Sequence, residues 1–334
     1  MAKNKNCNSC EQFKTMIGGQ ALIEGIMMRG PEKDAIVCRT GEGLSVEVMD
    51  RKLPREGSIL KWPLLRGVVN FFDSQLTGVR AILKSADLNP DEEWESEPSK
   101  LDLWLEKKLG NEKFQQFLIY SAAVLGMLLS IGLFFLLPMI IGGFFDGIVK
   151  SMVGINLIEG LVRMVIFMAY MILISRMGEM KRLFAYHGAE HKTIRCYEAR
   201  LPLTVENVRQ QTRLHPRCGT SFLLVVMILS ILVFSVASSA LLAVVPALEA
   251  MRGSFGYRLL MIAFKLLLLP VVVSIAYEIN RWVGKHDNAF TRILTAPGLW
   301  MQNFTTNEPD DSMIEVAITA VNAVLPEKEG ADEW

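Results

Sequence analysis

Residues 222–248 read FLLVVMILSILVFSVASSALLAVVPAL, without one charged side chain. A bilayer's hydrocarbon core of about 30 Å needs roughly 20 helical residues, so this run can cross it. Phe117 to Ile141, Ile155 to Ser175 and Tyr257 to Tyr277 are also long and predominantly apolar, the last two with a few charges inside. Hydrophobic residues make up 51% of the 334 and charged residues only 21%, with a mean hydropathy of +0.30. That balance points to a membrane protein more than to a large soluble enzyme, and with the four runs it predicts a mainly α, polytopic membrane protein with about four transmembrane helices. A small cytoplasmic α+β N-terminal region and a cytoplasmic helical loop complete the expected fold.

Charge placement sets the direction of the spans. Gly142 to Gly154 has Lys150 as its only base, and Glu249 to Gly256 has only Arg252. The connection between spans two and three holds Arg176, Lys181, Arg182, Lys192, Arg195, Arg200, Arg209, Arg213 and Arg217. Basic loops stay in the cytoplasm, which puts that connection and both termini there. The expected segments are 1–100, 101–175, 176–220, 221–277 and 278–334. Lys+Arg and Asp+Glu number 35 each, so no basic face points to nucleic acid. The five cysteines form no disulfide framework, and the Cys7 and Cys10 pair has no second pair to make a metal knuckle.

Smaller elements follow from local pattern. Asp34 to Thr40 and Leu44 to Lys52 flank Gly41-Glu42-Gly43 and predict a hairpin. Gly18 to Pro31 reads either as a tight buried turn with an internal Glu24 and Arg29 pair or as a loop that approaches the active centre. Trp62-Pro63 starts a helix whose apolar face is Leu65, Val68, Val69, Phe72, Leu76, Val79 and Leu83. It is expected on the membrane surface or against the bundle. Asn89 to Lys100 is an acidic linker. Within the spans, Glu159 and Arg163 are four apart and expected to pair, with Lys265 deeper in span four. Asp310 to Leu325 predicts an amphipathic helix docked on the cytoplasmic part, and Pro326 to Trp334 a loose end.

The cytoplasmic loop carries the chemistry. Gly178 to Arg200 is expected to be helical and stopped by Pro202, and it contains Tyr186-His187-Gly188-Ala189-Glu190-His191. On a helix, His187 and His191 fall one turn apart with Glu190 beside them. His-x-x-Glu-His is the inverted zinc-protease order, in which two imidazoles bind metal and the glutamate activates water. Glu198, seven residues past His191, returns to the same side and could be a third ligand. Thr204 caps a short helix through Arg213, which leads to His215 and Cys218, three apart. Thr220 or Ser221 is expected to cap the next span.

The chain resembles the DUF1385 family of membrane proteins. The resemblance rests on Gly19-Gln20-Ala21 through Glu24-Gly25 to Met27-Met28-Arg29-Gly30-Pro31, on Tyr186 to Lys192, on His215-Pro216-Arg217-Cys218-Gly219-Thr220, on Ala296 to Trp300 and on Thr305 to Asp310. It implies a multi-pass bacterial inner-membrane protein with a suspected metal site and no assigned reaction. Three readings stay open. One is a metal-dependent hydrolase or peptidase, with zinc or another divalent ion on His187, His191 and one of Glu198, His215 or Cys218, and Glu190 as general base. A second is a closed structural site on a scaffold for other membrane proteins. A third has no metal, the histidines being hydrogen-bonded in a polar core.

Overall fold

The computed structural model describes residues 13–51, 57–89, 121, 124–145, 147–286, 288–328 and 330–333. The strands are β1 (Gly18–Leu22), β2 (Gly25–Arg29), β3 (Lys33–Thr40) and β4 (Gly43–Asp50). The helices are α1 (Leu65–Leu88), α2 (Val124–Gly143), α3 (Met152–Ile174), α4 (Gly178–Glu198), α5 (Val205–Arg209), α6 (Gly219–Val244), α7 (Phe255–Lys285), α8 (Ala289–Thr305) and α9 (Asp311–Val324). Of these, α2, α3, α6 and α7 are long and apolar enough to cross a membrane. The chain divides into two compact units. The first is Met1–Asn89, Met171–Val226 and Val273–Trp334; the second is Pro90–Tyr170 and Met227–Val272.

In the first unit the strands form an antiparallel meander in sequence order. The expected β3–β4 hairpin is present, with Thr40 opposite Gly43. Gly18 to Pro31 is a second hairpin, β1–β2, with Leu22 opposite Gly25 across the turn Ile23-Glu24. Its strands escaped the alternation rule because both faces of the sheet are covered, so β2 reads as a continuous apolar run. Leu22, Met27, Ile36 and Cys38 pack on Ala81 of α1. Ile26, Met28, Ala35 and Val37 face the other way, onto Ala185 and Ala189 of α4 and Met313, Ala317 and Val321 of α9.

Helix α1 begins at Leu65, because Ile59–Lys61 forms a 3-10 turn and Leu64 turns back with φ 72°. Its large apolar side chains Leu65, Phe72, Leu76, Val79 and Leu83 are exposed, and its buried positions are Gly67, Gly78, Ala81 and Ser85. It therefore docks by small residues: a Cβ on Gly67 would lie 2.9 Å from the Ser274 Cα. The uncovered face suits contact with lipid. The neighbouring end of α7 runs past the expected Tyr277 to Lys285 because its polar groups find partners on α1. Asn70 Nδ2 donates to the Tyr277 hydroxyl at 2.8 Å, and Arg66 forms a two-point ion pair with Glu278.

Other local expectations are corrected. Helix α5 ends at Arg209, although Thr204 caps it as expected, its Oγ1 accepting from Asn207 N at 3.3 Å. Thr220 and Ser221 lie inside the first turn of α6, and Ser221 Oγ accepts from Gln302 Nε2 at 3.0 Å. The chain end is held: Asp332 is buried, Met16 N donates to its carbonyl at 2.6 Å, and Thr15 Oγ1 donates to its side chain. Helix α9 docks as expected, capped by Asp310 Oδ1, which accepts from Met313 N at 3.0 Å. Cys7, Cys10 and the linker beyond Asn89 lie outside the described residues.

In the second unit Glu159 does not pair with Arg163. It forms a buried ion pair with Lys265 of α7. Arg163 Nε donates instead to the Phe134 carbonyl at 2.7 Å and Nη1 to Ser230 Oγ at 3.3 Å. A π-helical turn over Gly132–Leu136 in α2 loosens the regular ladder there, which makes that carbonyl available.

Candidate metal centre

Helix α4 stacks His187 and His191 one turn apart, ring centroids 4.3 Å from each other. Gly188 between them lets the segment after α8 cross the helix closely: a Cβ there would lie 2.0 Å from the Asn307 carbonyl oxygen. Asn307 N donates to the Phe184 carbonyl at 2.8 Å, which fixes that crossing. The Thr305 carbonyl thereby reaches His187 Nδ1 at 2.8 Å. On the other ring, the Arg213 carbonyl meets His191 Nδ1 at 2.7 Å.

These two contacts set the tautomers. A carbonyl oxygen only accepts, so each Nδ1 carries a hydrogen and Nε2 is the nitrogen that offers a lone pair when the ring is neutral. His187 Nε2 is 3.1 Å from Cys218 Sγ. His191 Nε2 is buried and has no hydrogen-bond partner among the described residues, and the same is true of Glu190 Oε2. A buried acceptor left unmade costs about 1–3 kcal/mol, so these two orphaned atoms fit a place that could take a cation. One donor atom from each of His187, His191 and Cys218 lies within 4.8 Å of the others, and the group could hold a metal ion. Imidazoles oriented through Nδ1 to backbone carbonyls are the usual supporting shell of such sites.

Electrostatics agree with the donor set. Burial pushes the Cys218 thiol up, but His187 and His191 outweigh it and hold the group well below its ordinary value. Burial pulls His187 down, yet the adjacent Cys218 raises it to about 9. Burial lifts Glu190 above the usual carboxylate range, against the pull of His191 and His187. Oε1 of Glu190 accepts the backbone N–H of Gly19 at 2.8 Å, so the β1–β2 hairpin touches this centre.

The remaining candidates lie elsewhere. His215 stacks near His191, ring centroids 5.5 Å apart, but its Nε2 is turned to Glu198 Oε2 at 3.4 Å. Burial, then Arg195, lowers His215 to about 4. Glu198 forms an ion pair with Arg217 and accepts from Thr15 N at 3.1 Å. Both fall outside the group of three donors. Glu24 and Arg29 do not pair with each other. The turn directs Glu24 to Arg182 and to the Tyr186 hydroxyl at 3.1 Å, whereas Arg29 binds Asp34 at 3.0 Å and Asp73 at 2.9 Å.

Sequence reasoning kept Gly18 to Pro31 open as a loop near the centre, but missed the individual roles of Gly19, Thr305, Arg213 and Gln302. The first three act through backbone atoms, which leave no side-chain signal. Gln302, fully buried, accepts from His215 N at 2.8 Å and donates to the His215 carbonyl at 2.7 Å, which pins the loop that delivers Cys218. A polar residue inside the apolar face of α8 was its only trace.

A family model described as "Protein of unknown function (DUF1385)" matches residues 62–327. The chain belongs to the DUF1385 family. The matched span takes in α4, Cys218 and Thr305, and begins after the hairpin that carries Gly19. The chain is also 32% identical over 317 residues to "Uncharacterized protein YqhQ" of Bacillus subtilis (strain 168), with 92% of each chain covered. No solved structure matches.

Proposed function

We propose that the protein is a metal-dependent hydrolase of the bacterial inner membrane, a peptidase by motif, with its centre and both termini on the cytoplasmic side. The observation that carries this reading is the grouping of donor atoms from His187, His191 and Cys218 within 4.8 Å of one another, the two histidines on the helix that also carries the buried, unengaged Oε2 of Glu190. His187, His191 and Cys218 would hold the ion. Two nitrogens and one sulfur suit zinc, and three protein donors are the number that leaves a coordination position open. Because His215 and Glu198 stand outside the group, a closed four-donor scaffold has less support.

When bound, a divalent ion supplies Lewis acidity that activates water at this point. The chain's own residues do the rest. Thr305 and Arg213 carbonyls hold the two rings with Nε2 inward. Gly19 fixes Oε1 of Glu190, which leaves Oε2 to take a proton from the attacking water. Burial raises the affinity of that carboxylate for the proton, which suits its later return to the leaving group. The basic connection around α4 and α5 supports the cytoplasmic placement.

Protein reconstituted in vesicles and assayed on a fluorogenic peptide library tests this reading. Wild type should turn over peptides in a chelator-sensitive manner, and Glu190→Gln should keep its metal and lose at least about 100-fold in rate. Equal activity in Glu190→Gln would refute the assignment.

A further inference from the structure

Sharing none of the donors of that centre, a cavity of about 430 Å³ lies within the first unit. That is within the roughly 300–1,000 Å³ of small-molecule sites. Among the described residues its wall brings Lys14, Arg195, Arg217 and Arg292 to one space with a single carboxylate, Glu198. Glu198 is already engaged by Arg217, His215 and Thr15. Lys14 and Arg292 each make a further interaction of their own.

Arg195 differs. Its only side-chain hydrogen bond among the described residues runs from Nε to the Leu214 carbonyl at 2.7 Å, and it meets no carboxylate there. Both terminal nitrogens stay unspent on a side chain that lines the cavity. Burial, and next the neighbouring Arg195, pushes Arg217 down to about 10. Among the described residues Arg195 and Arg217 thus stand close together with Glu198 engaged by Arg217, an arrangement that an entering anion relieves. The hydroxyls of Thr291 and Thr295 already donate to carbonyls of their own helix and its cap, so charge is the main recognition this wall offers.

We propose that this cavity binds a phosphate group carried on a larger organic body. A phosphate dianion can accept from the two terminal nitrogens of Arg195 and from the N–H groups of Arg217 that are not given to Glu198. The volume exceeds what one phosphate fills, and Val283, Leu299 and Phe13 give the remaining wall an apolar part. The phosphate belongs either to a lipid headgroup or to a soluble phosphate ester. The inference does not depend on a metal at His187, His191 and Cys218.

The test uses the full chain in nanodiscs of neutral phosphatidylcholine, read by thermal unfolding. One arm adds glycerol 3-phosphate in solution; the other replaces part of the lipid by phosphatidic acid. At hundred-fold excess over Kd, one of the two should raise Tm by about 4 °C. A rise with the soluble ester assigns a soluble ligand, and a rise with phosphatidic acid alone assigns the headgroup. Arg195→Gln should abolish the rise, and so should Thr295→Trp, which fills the space without removing a charge. The second variant keeps the test if the first does not fold. No rise in either arm, or a rise that persists in a folded variant, overturns the proposal.

Discussion

Gly19 of β1 donates its backbone N–H to Oε1 of Glu190 at 2.8 Å, across 171 positions of sequence. The bond satisfies one oxygen of the carboxylate, and the other has no hydrogen-bond partner among the described residues. A Cβ at Gly19 would lie 2.6 Å from the Met27 carbonyl and 3.1 Å from Glu190 Cδ. Gly19→Ala should therefore displace the hairpin from α4, cost about 1–3 kcal/mol of stability and reduce peptide turnover. Thermal unfolding beside the peptide assay checks this, and unchanged turnover would show that the contact is dispensable.

Gln302 ties both backbone groups of His215 to α8, and its removal strands them. Gln302→Leu should destabilise the protein by about 1–3 kcal/mol for each buried group left unpaired. Because the same loop delivers Cys218, metal content should fall as well. Unfolding measurements and elemental analysis on the same preparation separate the two effects.

The cysteines should react in a defined order. Burial pushes Cys38 up to about 11, so it stays protonated and inert at pH 7 and becomes thiolate only far above it. Cys218 is held well below the ordinary thiol value by the paired imidazoles, which favours its thiolate. In chelator-treated, folded protein, a small alkylating reagent at pH 7 should modify Cys218 and spare Cys38, as read by peptide mass mapping. Modification of Cys38 first would contradict these environments.

Glu159 and Lys265 form a buried ion pair within the second unit. Lys265→Leu alone leaves a carboxylate unanswered and should cost about 3–5 kcal/mol, whereas Glu159→Leu with Lys265→Leu should recover most of it. Reversible denaturation of the two variants decides the matter, and a double variant as unstable as the single one would count against the pairing.

What could be read in advance depended on how local its cause was. The four spans, the β3–β4 hairpin and the one-turn spacing of His187 and His191 are set by nearest-neighbour pattern and were legible. Cys218 was legible only as one of several donors, because a loop of turns lies between it and α4. Glu198 looked equivalent on helical spacing, but Arg217 and His215 draw it away. The Glu159 and Arg163 pair failed because spacing along one helix says nothing of Lys265 on another. Gly19 and the carbonyls of Thr305 and Arg213 were invisible, since backbone groups have no residue code.

Metal content of the detergent-purified protein tests the central claim most directly, with wild type measured beside His187→Ala and Cys218→Ala. A centre of two imidazoles and one thiolate predicts about one divalent ion per wild-type chain and its loss in both folded variants. Wild type without a stoichiometric ion, or variants that keep it, would contradict the assignment.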